Sequence, residues 1–392
     1  MENQNENQKK ILIITTVSGF LTQFELKNVA ILKNMGYEIH YASNFEFPAY
    51  NVPCDFQTLG IHIHSISIHK SPFSICRNLK AYYEIKKIIK EEHITMIHCH
   101  NPMGGVLGRM VGIGMKSRPW IIYTAHGFHF YKGAPAKNWI LYYSCERMLA
   151  HYTDCLITIN HEDYEYAKRF HLSNQGFLAY IPGVGLDFEK LQQNSEGLTR
   201  RELGVPEDVF FILAVGEINQ NKNHIVILKA MKELQDVSVH FGICGTGSLT
   251  YCKKLQNTAS EYGLDKQFHL FGYKKNVFDF LKNADAFVFP SYREGFGMAA
   301  LEAMATGLPV ISANNRGTRE FMVDGYTGLM VEPNDYIGFA EAILKMKDPV
   351  VRMRMGENCK KQAKKFSIQR TEMYMTDIYD QCERRSVGDG RK

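Results

Sequence analysis

No apolar run in this 392-residue chain reaches the ~20 residues that a membrane-spanning helix needs. Met1 to Lys10 has no apolar core behind a basic start, so no secretory signal is expected. The nine cysteines include no Cys-x-x-Cys pair and are odd in number, which argues against a disulfide framework and for a reducing compartment. An excess of one charge is missing too. The 46 basic and 41 acidic residues leave a net charge of +5, too mild to imply a nucleic-acid partner. With 45% hydrophobic residues, the composition also excludes disorder. What remains is a cytoplasmic globular protein, long enough for two domains of ordinary size.

The pattern that is present alternates strand and helix. Strands are expected at Lys10–Thr16, Glu38–Ser43, Ile61–Ile68, Thr95–His100, Trp120–Ala125 and Cys155–Asn160. Helices are expected near Phe24–Met35, Lys137–Ala150 and His161–Phe170. After a turn-rich stretch the alternation resumes at Phe210–Val215, His224–Leu234, Val237–Cys244, Phe268–Phe271, Val277–Asn283 and Ala286–Pro290, then at Pro309–Ser312 and Leu329–Val331. Such alternation implies parallel sheets covered on both faces, with ligands at the carboxyl ends of the strands. Ser367 is expected to cap a last helix running to about Arg384. Between His69 and Lys90, bases sit beside apolar residues. An amphipathic helix with Leu79, Tyr82, Tyr83, Ile85, Ile88 and Ile89 on its apolar face is the plain reading, and a surface resting on anionic lipid is the sharper one.

The densest chemistry lies between Ser291 and Val310. The run Ala286-Phe-Val-Phe-Pro290 ends in a loop carrying Glu294, Gly295 and Gly297, and a helix then runs from Met298 to Thr306, closed by Gly307 and Pro309. A glycine-rich turn into a helix leaves free backbone N–H groups and the positive end of the helix dipole, a site for phosphate. Glu294 and Glu302 are eight positions apart, ~12 Å along a helix axis, and bracket something elongated, such as a diphosphate between two hydroxyl-bearing rings. Two ordinary glutamates on an exposed helix are the bland alternative.

The string Ser-x-x-Glu-Gly-Phe-Gly-x-x-x-Leu-Glu-Ala-Met-Ala-x-Gly-x-Pro-Val resembles the signature of the retaining glycosyltransferases of family GT4, which have the GT-B fold. The resemblance implies two Rossmann-like doubly wound α/β domains facing a cleft. Residues 1–185 would form the acceptor-side domain, completed by a helix at 367–384. Residues 186–207 would be the linker and residues 208–366 the nucleotide-sugar domain. It further implies that Glu302 binds the ribose hydroxyls, that Glu294 lies against the donor sugar, and that the amides around Gly297, Met298 and Ala299 approach the diphosphate or sugar. Asn223 and Phe296 fall in the same donor-binding set.

Val215-Gly216-Glu217 follows the first strand of the second half, with Lys222 five positions on. Gly216 permits close approach of backbone, and Lys222 brings a point charge for phosphate. The family usually carries a base directly after this glycine, where this chain has Glu217. Either Lys222 holds the diphosphate with the helix terminus alone, or another base such as Arg293 or Arg316 contributes. Gly245-Thr-Gly247 resembles the family's turn near base and ribose. His126, in Thr-Ala-His-Gly127, ends a strand; the resemblance places it close to the donor sugar, with His129 secondary. Of the glycine pair in the family's first β–α loop, only Gly19 is present.

His98-Cys-His100 invites a metal reading, with both imidazoles on one strand face, but no further ligand set has suitable spacing, and GT-B enzymes typically need no bound metal. None is expected, and the cosubstrate is a nucleotide sugar. His62 and His64 alternate with isoleucines as a half-exposed strand face.

A longer similarity covers nearly the whole chain. Asn101-Pro-Met-Gly104-Gly105-Val-Leu, Tyr123 to Tyr143, Tyr152 to Tyr164, and Asn315-Arg316-Gly317-x-Arg319-Glu320 resemble the EpsD-type exopolysaccharide and capsule glycosyltransferases. This implies transfer of a hexose or N-acetylhexosamine, most simply from UDP, to a polyprenyl-diphosphate-linked saccharide, by an enzyme peripheral to the cytoplasmic membrane face. Two other classes are weighed beside it: a GT-B-fold UDP-sugar epimerase, and a non-catalytic scaffold of a polysaccharide assembly complex.

Overall fold

A computed structural model describes residues 9–46, 56–115, 117–193 and 195–388. The chain folds as two units, residues 1–184 together with 371–392 and residues 185–370. The first contains strands β1 (Lys10–Ile14), β2 (Glu38–Ser43), β3 (Ile61–Ser65), β4 (Met96–His100), β5 (Trp120–Ala125), β6 (Cys155–Thr158) and β7 (Phe177–Tyr180). The second contains β8 (Phe210–Val215), β9 (Val239–Cys244), β10 (Phe268–Gly272), β11 (Ala286–Phe289), β12 (Val310–Ala313) and β13 (Gly328–Val331).

The strand orders are β3-β2-β1-β4-β5-β6-β7 and β10-β9-β8-β11-β12-β13, with every pairing parallel. The central strands do not alternate between buried and exposed residues because helices cover both faces: every residue of β4, β5 and β9 is buried, the histidines of β4 and β9 included. In each sheet the order reverses beside the first strand, between β1 and β4 and between β8 and β11. Loops leaving neighbouring strands diverge there and open a crevice at the carboxyl ends.

Glycines let the helices lie close. A Cβ on Gly105 would sit 2.3 Å from the Tyr123 ring and one on Gly108 2.7 Å from Cys99 Cβ, so the helix Pro102–Met110 rests directly on β4 and β5. Beneath it, buried Arg109 stacks 4.0 Å above the Tyr123 ring and donates to Glu146 at 2.7 Å.

Several expectations are corrected in detail. The basic helix spans Ile75–Glu91, but its buried face is Asn78, Ala81, Ile85 and Ile89, while Leu79 and Tyr83 are 53% and 62% exposed. The stretch read as linker holds a short helix, Phe188–Gln192, whose first turn is capped by Asp187. The last helix runs Ile368–Gly388, longer than expected. Two helices read as continuous include π-helical turns, Leu21–Glu25 and Trp139–Tyr143. The eight described cysteines are all free; the ninth, Cys54, lies outside the described residues.

Candidate functional site

In the second unit, β8 and β11 leave the sheet side by side. After Gly216 (φ +138°) the chain forms a short turn, Gln220–Lys222, whose last amide is capped by the Asn219 side chain. That turn lays Lys222 5.0 Å over the Phe289 ring and brings its Nζ 2.7 Å from Glu294 Oε1. The two side chains are 20% and 16% exposed, so the pair is partly desolvated without being sealed. An ammonium has three N–H donors, and one bond to Glu294 leaves two for an anion.

Three loops hold this arrangement rigidly. Asn221 Nδ2 donates to the Arg293 carbonyl at 2.9 Å, and Tyr292 N returns a bond to the Asn221 carbonyl. Asn223, in the left-handed region at φ +53°, gives its side-chain amide to the carbonyls of Pro290 and Pro333. Its side chain therefore braces the loop. A Cβ on Gly245 would lie 1.8 Å from the Gly216 carbonyl oxygen, and one on Gly247 2.0 Å from that of Ile218. Both glycines are required by backbone lying on backbone. Glu217, beside them, is exposed.

The helix Met298–Thr306 starts at Gly297, whose φ of +112° no ordinary side chain adopts readily. The amides of Gly297, Met298 and Ala299 belong to its first turn and have no intrahelical acceptor, so the dipole and the N–H groups act on the same space. Phe296 is buried against Phe321 and Phe366 and anchors the turn from behind. Buried Arg316 directs its Nε to the Glu294 carbonyl at 3.3 Å, and Asn315 donates to that of Ser291, so the Asn315–Gly317 segment braces the acidic loop. Arg293 is half-buried beside Glu294. Glu302, half-buried on the helix, has its carboxyl pushed up to about 7 by desolvation, with Lys190 opposing the shift.

In the first unit, His126 follows β5, and its Nε2 lies 3.1 Å from His100 Nδ1 at the end of β4. Phe20, directly after Gly19 in the first β–α loop, packs edge-on against His126 with ring centroids 5.0 Å apart. Sequence reasoning missed a third partner. The π-helical turn points Glu25 inward, 2% exposed, with Oε1 3.4 Å from His100 Nδ1. Asn28 donates to its other oxygen at 2.6 Å. Burial pushes the Glu25 carboxyl up to about 8, lowers His126 to about 4, and lowers His100 well below its ordinary value. Desolvation therefore favours the neutral forms of the cluster. Its only signal in the sequence is an acid within an otherwise uncharged, largely apolar stretch, Phe20 to Leu26.

His98 shares a face with His100, as its spacing suggests, but both its nitrogens are committed, to the Tyr379 hydroxyl at 2.9 Å and to Thr124 Oγ1 at 2.8 Å. His129 is half-buried, its ring 4.8 Å from that of Tyr142.

Residues 196–365 match the family described as glycosyl transferases group 1, and residues 10–160 match glycosyl transferase 4-like. The chain is 36% identical over 378 residues to EpsD, a protein of Bacillus subtilis (strain 168) named as a glycosyltransferase, covering 95% of this chain and 96% of the relative. It is 29% identical over 313 residues to the UDP-Gal:alpha-D-GlcNAc-diphosphoundecaprenol alpha-1,3-galactosyltransferase of Escherichia coli, covering 78% of this chain and 80% of the relative. In fold it is similar to sucrose-phosphate synthase from Thermosynechococcus elongatus, with a TM-score of 0.76 at 19% identity over 95% of this chain and 98% of the other.

Proposed function

The chain belongs to the group 1 glycosyl transferases and is a glycosyltransferase of GT-B fold; from that premise we propose that it moves a hexose or N-acetylhexosamine from a UDP-sugar to a polyprenyl-diphosphate-linked saccharide, with retention, in exopolysaccharide or capsule assembly. The observation that carries the donor half is the Lys222–Glu294 pair beside the open first turn of Met298–Thr306. The amides and the two spare N–H groups of Lys222 stabilise charge that develops on the departing diphosphate. Glu302 takes the ribose hydroxyls, and Glu294 and His126 orient the sugar. The acceptor hydroxyl attacks from the leaving-group side, and a phosphate oxygen takes its proton, so no protein nucleophile is needed. No metal is assigned to the transfer step.

The acceptor class is supported by the Escherichia coli relative, whose name gives a UDP-sugar donor and a diphosphoundecaprenol-linked acceptor. Among the described residues no helix is long and apolar enough to cross a membrane. Contact with a membrane surface is supported instead by Phe73, Ile75, Leu79 and Tyr83, 86%, 70%, 53% and 62% exposed on and just before a helix that also carries Lys80, Lys86, Lys87 and Lys90.

A transfer assay and a UDP titration test the reading. UDP-sugars are offered with undecaprenyl-diphosphate-GlcNAc, and products are resolved by mass and anomeric configuration. Transfer with retention is expected. Rearranged sugar without acceptor would convert the reading to an epimerase, and neither transfer nor UDP binding would leave a scaffold.

A further inference from the structure

Away from the residues assigned to sugar transfer, at the β2–β3 edge of the first sheet, the fold gathers a second set of imidazoles and carboxylates. Parallel register places His40 beside His62 and Ala42 beside His64. The His40 and His64 rings stack at 5.2 Å and 14°, and His40 Nδ1 lies 2.9 Å from His64 Nε2. Glu92, the C-cap of the helix Ile75–Glu91, completes the group: one ligand atom from each of His40, His64 and Glu92 lies within 4.8 Å of the others. We propose that His40, His64 and Glu92 form a zinc site that clamps the edge strand β3 and the end of the following helix onto β2.

The chemistry of the donors carries this. Glu38 Oε1 lies 2.9 Å from His40 Nε2 and accepts its proton, which leaves the lone pair of His40 on Nδ1, turned toward His64. A carboxylate behind a ligating imidazole is the usual outer shell of a zinc site. Two nitrogens bound to one tetrahedral zinc at ~2.0–2.1 Å lie roughly 3.3 Å apart, so the 2.9 Å between His40 and His64 needs to open only a little. Two imidazoles and one carboxylate leave the fourth position for water, a donor set suited to zinc. Each ligand comes from a different element, so binding ties β2, β3 and the helix end together.

The second unit contains its own control. His240 on β9 and His269 on the edge strand β10 occupy the matching strand pair and approach with the same nitrogen pair at 2.9 Å and rings 5.2 Å apart. No carboxylate joins them in a three-ligand group; among the described residues the only such groups are His40–His64–Glu92 and Glu25–His100–His126. In the latter, the Glu25 oxygens are already shared between Asn28 and His100, and His126 belongs to the candidate transfer site.

The experiment strips the full chain of metal with a chelator and titrates it with Zn²⁺, measuring bound metal per chain and the thermal midpoint. One equivalent of zinc and a raised midpoint are expected. His64→Ala and Glu92→Gln each weaken binding at least tenfold, Glu38→Gln weakens it ~10–100-fold while keeping the stoichiometry, and His269→Ala leaves it unchanged. Absence of tight zinc overturns the proposal, as does binding that survives Glu92→Gln undiminished or that disappears in His126→Ala instead.

Discussion

At the point where strand order reverses in the first sheet, Glu25 and His100 sit buried and His126 half-buried, and desolvation raises the carboxyl and lowers both imidazoles, which favours their neutral forms. At the matching point of the second sheet, Lys222 and Glu294 form an ion pair with partial access to solvent, beside a helix N-terminus. Both crevices arise from one strand order, so topology decides where a site lies and side chains decide what it does. The second presents an ammonium and free helix amides, the groups that the proposed function gives to a diphosphate. The first presents imidazole nitrogens whose neutral forms are favoured, and these exert little pull on an anion.

The largest effect that probes this contrast concerns Glu25. Its carboxyl holds its proton to about 8 in the folded state against an ordinary 4.5, so between pH 5 and 8 the unfolded chain releases a proton that the folded chain keeps. Stability conferred by the neutral carboxyl is present at low pH and lost as pH rises, to a ceiling of about 5 kcal/mol. Urea midpoints at pH 5, 6.5 and 8 should fall in the wild type relative to Glu25→Gln, whose amide does not titrate. Parallel curves would mean that Glu25 is solvated and the first crevice is not neutral.

Next in size is Lys222→Ala, expected to lower turnover by ~10²–10³-fold, about 3–4 kcal/mol of transition-state stabilisation. Glu294→Gln should likewise lower turnover more than it weakens UDP binding, and equal effects on both would remove Glu294 from the reacting end. A smaller effect is stabilisation by UDP itself, ~2.7 kcal/mol at a hundred times its dissociation constant. It should vanish in Glu302→Ala and persist in His126→Ala, a split that scanning calorimetry reads directly. The smallest is Glu217→Lys. Because Glu217 is exposed, reversing its charge should tighten UDP only a few-fold at low salt and fade as ionic strength rises.

Much of the second crevice was legible in sequence because its parts are local. Gly297 and Gly307 bracket a helix whose bounds match the expected Met298–Thr306, and β8 and the helix His224–Leu234 also fall where periodicity puts them. The first crevice was half legible. His126 stands at a strand end, but Glu25 and His100 are far apart in the chain and meet only through the β1–β4 crossover and a π-helical turn that no residue pattern announces. The basic helix misled for another reason. Its apolar residues outnumber one face, so counting them put Leu79 and Tyr83 inward, whereas Asn78, Ala81, Ile85 and Ile89 keep the helical spacing and are the ones buried. Helices Leu249–Glu261, Tyr336–Met346 and Pro349–Ala363 went unread although each has its cap in the sequence, Ser248, Asp335 and Asp348, whose side chains accept from the first turn.

The bond from Tyr379 to His98 has a consequence for how the chain is made. His98 lies in the fourth strand of the first sheet, yet its partner is supplied by residues that return to that unit only after the whole second unit has passed. On the ribosome, the amino-terminal half must wait with a buried imidazole nitrogen unpartnered until Tyr379 has emerged. The first unit is therefore completed only after the second has been made, and a protein truncated before residue 379 should be cleaved by protease faster than one that includes it.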